Sequence, residues 1–97
     1  MSKNRKDYPV WTGVINYFPD ALMEVSKVSK IGNDQHNKGL PIHWDKSKST
    51  DNLDALTRHL LQADKKDDDG CYHLAKVAWR ALAALQIKLE KNDKDKG

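Results

Sequence analysis

The chain holds a single cysteine, Cys71, in 97 residues, so it has no internal disulfide, and a reducing, cytoplasmic setting is the expectation. It has no apolar run of membrane-spanning length, and its N-terminal stretch MSKNRKDYP lacks the apolar core of a secretory signal. Charge of one sign is not concentrated either. The formal net charge is only +3, and lysines alternate with Asp and Glu at both ends, which argues for a solvated mixed surface over a nucleic-acid patch. No internal repeat is visible. Hydrophobic content of 38% against 32% charged residues permits only a modest core. One domain, 1–97, with loose ends at 1–7 and 91–97, is expected. A chain this small buries a low fraction of its surface, so self-association is a natural way to cover apolar helix.

What is present is helical pattern. Residues 51–89 read as a helical hairpin. The first arm is TDNLDALTRHLLQA, capped by Ser49 or Thr50, with Leu53, Leu56, Leu60 and Leu61 as its apolar face. It ends near Ala63, and DKKDDDG forms the turn. The second arm, CYHLAKVAWRALAALQIKLE, is apolar on most of its circumference from Leu74 to Leu85, a pattern normally buried on several sides. Ala75, Ala78, Leu82, Leu85 and Leu89 are spaced as a seam for close helix packing, from which at least a dimer is expected.

Upstream, Phe18-Pro19-Asp20 starts a helix that runs to about Ile31, with Gly32-Asn33 ending it. Ala21, Leu22, Val25, Val28 and Ile31 form its apolar face, and Glu24 lies beside that face, where a carboxylate needs a partner. The stretch Tyr8–Phe18, with Pro9 and Gly13 inside it, reads as an extended arm or a short strand. The expected architecture is therefore all-α: a small bundle in which the hairpin packs on the helix at about 19–31, in an oligomer. Residues 32–49 form a long polar connection carrying His36, His43 and Trp44, more chemistry than a linker needs.

Several site types can be tested by spacing. Aligning Gly70 with the glycine of a calcium-binding EF-hand loop puts Lys65 and Lys76 where carboxylates are required, so that loop is excluded. Asp67 and Asp68 then read as a solvated turn with helix capping. Cys71 and His73 lack a second pair at zinc-ligand spacing, and no serine or cysteine sits in a nucleophile motif. What remains is Glu24, Asp54, Arg58, His59, Asp69 and His73. Facing carboxylates from two packed helices can hold Mg²⁺ against phosphates. Arg58, His59, His73, Lys76 and Arg80 are suited to phosphate oxygens, and Trp44 or Trp79 to stacking on a base. The structural alternative for Asp54 and Arg58 is a simple i,i+4 pair, and for Arg80 a surface position.

The order FPDALMEVSKVSKIGNDQHN, PIHWDKSKSTDNLDALTRHLL and DDDGCYHLAKVAWRALAALQ resembles the phage dATP/dGTP diphosphohydrolase N-terminal family, relatives of all-α, MazG-like nucleotide pyrophosphohydrolases. The resemblance covers about residues 10–89. It implies an oligomeric, all-α, nucleotide-handling protein in which metal-bound carboxylates activate water to release a monophosphate and pyrophosphate. On that implication Glu24 and Asp54 are the catalytic acids, and with Asp69 they hold Mg²⁺. Arg58, His59, His73 and Lys76 meet phosphates, and Asn33, Gln35, His36 and Trp44 recognise the base. The wider superfamily pairs its acids as ExxE and ExxD, whereas here Asp20 and Glu24 are four apart and Asp51 and Asp54 three apart. Two readings follow. One is a Mg²⁺-dependent nucleoside triphosphate pyrophosphohydrolase. The other is a non-catalytic oligomer that captures a nucleotide, such as an immune signal, through cationic side chains.

Overall fold

The computed structural model describes residues 4–96, with side chains as far as residue 93. The outermost parts of the two ends expected to be loose, residues 1–3 and 97, lie outside the described residues. Three helices carry the fold: α1 (Pro19–His36), α2 (Asn52–Leu60) and α3 (His73–Lys96). Both α1 and α2 pack against α3, and the architecture is all-α as the sequence pattern implies. The described residues contain no strand, only an isolated bridge between Lys66 and Tyr72 in the hairpin turn.

Four local features differ from the sequence expectations. The aromatic N-terminal stretch is coiled rather than extended. Val10 opens a π-helical turn at Trp11–Ile15, which the Asn16 N–H closes on the Trp11 carbonyl. With no strand in the described fold to pair with, the backbone satisfies its hydrogen bonds locally. Helix α1 begins at Pro19, as read, but continues through Gly32 to His36. A helical glycine costs only about 1 kcal/mol relative to alanine, so Gly32 alone does not end the helix. The reversal comes later, where Gly39 adopts φ +84°.

Helix α2 is preceded by Asp51, which makes no side-chain cap, and neither Ser49 nor Thr50 caps it. The Ser49 carbonyl instead accepts from Asn52 Nδ2 at 3.3 Å, and its hydroxyl accepts from Trp44 Nε1 at 2.8 Å. Regular α2 stops at Leu60, where the Leu61 N–H divides between the Thr57 and His59 carbonyls. Helix α3 continues past Glu90 to Lys96. Glu90 is gripped there by Lys46 Nζ at 2.6 Å and Gln86 Nε2 at 2.9 Å.

The core is built from small side chains. Ala55, Cys71, Ala75 and Ala83 are its buried apolar residues, joined by buried Asn33, Asn52 and His73. The apolar circumference of α3 is thus covered on one side only. Leu74, Leu82, Leu85 and Leu89 remain 54, 54, 53 and 50% exposed. Of the expected seam, Ala75 packs inside the subunit while the three leucines face outward. The described chain is correspondingly open. Its radius of gyration is 15.1 Å, against about 12.5 Å for a compact domain of this length.

Candidate functional site

A cavity of about 650 Å³ lies between the C-terminal half of α1, the 37–51 connection and the first turns of α3. The extended α1 makes its floor. Asn33, 5% exposed, donates from Nδ2 to the Leu40 carbonyl at 2.9 Å and accepts from the His43 N–H at 3.3 Å. One carboxamide therefore folds the connection back over α1, and its hydrogen bonds are spent on shape. Trp44 and Trp79 form the aromatic wall, edge to face with centroids 5.5 Å apart. Their indole N–H groups are anchored on Ser49 Oγ and Ser29 Oγ, both at 2.8 Å, which fixes both ring planes.

The charged side of the cavity carries Lys48, Lys76 and Arg80, with His36, His43 and His59. Arg80 donates to Asn52 Oδ1 at 3.0 Å and lies 5.6 Å from the centre of the Trp79 ring, so its guanidinium is held in place. Lys76 Nζ is bound by Asp67 Oδ2 at 2.7 Å and Asp69 Oδ2 at 2.6 Å. Burial alone favours the neutral amine, but the two carboxylates outweigh it and raise the Lys76 pKa. For Asp67 the Lys76 hydrogen bond lowers the pKa, aided by the Asp68 N–H. For Asp69 burial pushes upward, and the Lys76 and Cys71 N–H bonds reverse it to a net lowering. An ammonium offers three protons, so one of Lys76 remains beyond these two carboxylates.

Of the residues singled out from the sequence, Asn33, Gln35, His36, His43, Trp44, His59, Asp69, Lys76 and Arg80 line the cavity. Glu24, Asp54, Arg58 and His73 do not. His73, 4% exposed, stands behind His59, with their Nδ1 atoms 2.9 Å apart. Arg58 pairs with Asp51 at 3.2 Å rather than with Asp54, on the exposed side of α2. Asp54 is exposed, and Glu24 Oε2 is buried without a hydrogen-bond partner. Glu24, Asp54 and Asp69 do not form a group with donor oxygens within 4.8 Å of one another; among the described residues that arrangement belongs to His59, Asp67 and His73. Among the described residues, these three candidate acids thus do not converge on one point.

Three contributors were not legible as site residues. Asp67, read as a solvated turn residue, is half-buried against Lys76. Lys48 and Ser49 were read only as loop and cap, and reach the cavity because the Asp45 side chain starts a short 3-10 turn, Lys46–Lys48.

The family model described as dATP/dGTP diphosphohydrolase, N-terminal, matches residues 2–97. The chain belongs to that family. No curated protein and no solved structure gives a significant match. The family relation supports a nucleotide-hydrolase-like protein, and no helix among the described residues is long and apolar enough to cross a membrane.

Proposed function

We propose that this family member binds a purine nucleotide in the α1–α3 cavity, phosphates toward Lys48, Lys76 and Arg80 and base toward Trp44 and Trp79. The supporting observation is a wall carrying exposed Lys48 and the hydrogen-bonded Lys76 and Arg80, beside two indoles whose planes are pinned by serine hydroxyls. Guanidinium and ammonium donors suit phosphate oxygens, and an indole face suits a base. The volume, about 650 Å³, is within the usual range of small-ligand sites. The family description names dATP and dGTP, which favours a purine deoxynucleoside triphosphate.

Capture without hydrolysis is the reading we favour for a single chain, because Glu24 and Asp54 stand outside the cavity while the cations line it. Hydrolysis is supported by the family description, with Mg²⁺ held by carboxylates that would have to be brought together in an assembly. Assembly of several copies is part of the proposal. The accessible surface is 7987 Å², whereas a compact monomer of this mass exposes about 5,700 Å². The surplus, roughly 2,300 Å², is on the scale that one subunit buries in an obligate interface. The outward row Leu74, Ala81, Leu82, Leu85 and Leu89 on α3 supplies apolar surface for it.

One experiment separates the readings. The protein is incubated with dATP, dGTP, ribonucleotides and cyclic oligonucleotides, with and without Mg²⁺, then denatured, and the released species are identified. Intact nucleotide recovered after long incubation supports capture. Monophosphate plus pyrophosphate supports hydrolysis. No retained nucleotide, or retention unchanged by Arg80→Ala and Trp44→Ala, removes the cavity as a nucleotide site.

A further inference from the structure

The corner where α2, the hairpin turn and α3 meet holds a second constellation, of which only His59 lines the cavity. His59 sits near the C-terminal end of α2, Asp67 in the turn and His73 at the first residue of α3. One ring nitrogen of each histidine and one carboxylate oxygen of Asp67 all lie within 4.8 Å of one another. The two Nδ1 atoms approach to 2.9 Å, with ring centroids 5.1 Å apart and planes inclined by 35°. His73 is 4% exposed, so its ring is held in this position by its surroundings.

We infer that His59, His73 and Asp67 form a binding site for a divalent transition-metal ion of the zinc class. Imidazole nitrogens bind such an ion at about 2.0–2.1 Å. Two nitrogens 2.9 Å apart then subtend roughly 90° at the metal, and a slight opening of the rings gives the tetrahedral angle. A set of two imidazoles and one carboxylate is a standard donor combination for zinc and cobalt, and a poor one for Mg²⁺, which prefers all-oxygen sites. The site does not depend on the nucleotide reading.

Asp67 has the capacity to serve. Its Oδ1 accepts the Asp68 N–H at 2.8 Å and its Oδ2 accepts Lys76 Nζ at 2.7 Å. Each carboxylate oxygen carries two lone pairs, so each retains one. The charges also admit a cation. Lys76 is shared by Asp67 and Asp69, which leaves one carboxylate charge unmatched within that hydrogen-bonded group. Lys76 is then the resident competitor for the metal, because its ammonium already draws on the Asp67 carboxylate.

The turn is built beforehand. The Asp67 N–H bonds to the Cys71 carbonyl at 2.8 Å, Gly70 N–H to the Asp67 carbonyl at 3.0 Å, and His73 N–H to the Lys65 carbonyl at 3.1 Å. Binding therefore orders little new backbone and ties both arms of the hairpin together. The ligands stand 14 and 6 residues apart from His73, on three elements, which is why ligand-spacing motifs in the sequence do not reveal them.

The test is titration of the full, chelator-treated chain with Co²⁺, read by its visible d–d absorption, followed by displacement with Zn²⁺. One equivalent bound, with a rise in melting temperature reversed by EDTA, is expected. His59→Gln and His73→Gln should abolish it, while His36→Gln and His43→Gln, on the cavity wall, leave it unchanged. Lys76→Gln should tighten binding by about tenfold or more, since it removes the competing cation. X-ray absorption on the zinc-loaded wild type should show two imidazole nitrogens, a readout that needs no variant to fold. Absence of Co²⁺ binding at a hundredfold excess overturns the inference. So does binding that survives both histidine substitutions, or a Lys76→Gln protein that folds and binds no tighter.

Discussion

The two ends of α3 differ in how much a single chain completes. At the N-terminal end, His73, Lys76 and Arg80 each have a polar partner from α2 or the turn that precedes α3. Farther along, Leu82, Leu85 and Leu89 are half exposed, with an apolar row and no helix over it. Polar groups buried without partners are costly, so a fold must satisfy them within the chain or leave them in water. Exposed leucine is tolerated until another surface arrives. The contrast teaches that the polar corner is completed within the chain, whereas the distal face is left open, and it is there that we propose copies assemble.

The largest effect should come from the distal face. Leu82→Glu combined with Leu85→Glu is expected to reduce the particle to the 11.1 kDa monomer by light scattering, since each leucine covered is worth about 1.5–3 kcal/mol. An unchanged mass would assign the row to surface alone. Next is Lys76→Met, which strands two carboxylates whose side chains are only 31 and 20% exposed. Denaturant unfolding should show a loss of about 2–4 kcal/mol. A loss confined to a few tenths would mean that the ammonium does not hold the turn.

Gly70→Ala is a smaller perturbation with a clear cause. Gly70 stands at φ +85°, where a Cβ costs about 1–2 kcal/mol. Its nearest neighbour is the flexible end of Lys27, at 3.7 Å, so backbone strain and not a clash sets the loss. A matching change at Gly13, whose φ is ordinary, should be well tolerated.

His59 gives the corner a pH signature. Burial lowers its pKa below the ordinary 6.5, with Lys76 and His73 adding to the effect. Because the folded state prefers the neutral ring, this contribution is complete above pH 6.5 and declines as pH falls through the folded value. In chelator-containing buffer the melting temperature should drop between pH 7.5 and 5.5, and His59→Gln should flatten that slope. An identical slope in the variant would place the titration elsewhere. The smallest effect belongs to Arg58→Ala. Its pair with Asp51 is 64 and 51% exposed, so stability should change by less than about 0.5 kcal/mol, and nucleotide retention should not change.

Much of the helix order was legible because it rests on local signals. Pro19-Asp20 starts α1 where the pattern says, and the aspartate-rich segment turns at Gly70. The site was partly legible. Trp44, Arg80 and the His36–His43 connection stood out as excess chemistry in a loop and a helix, and they do meet at one cavity. The Lys76–Asp67–Asp69 network was not, because a run of three aspartates reads the same whether its members are solvated or paired. Asn33 read as a helix terminator, but it lies inside α1, and its buried carboxamide ties down a loop seven to ten residues away.

By itself the sequence determined the all-α class and the hairpin, because periodicity and turn residues act over a few neighbours, and its motifs carried the resemblance to the family. The tertiary structure alone decided which charged groups face one another. Glu24 and Asp54 share a chain but not a cavity, while His59, Asp67 and His73 come from three elements to one point. Pairing at that range is set by how α1 and α2 sit on α3, and with small residues such as Ala55, Ala75 and Ala83 in the core, that seating depends on packing rather than on local propensity.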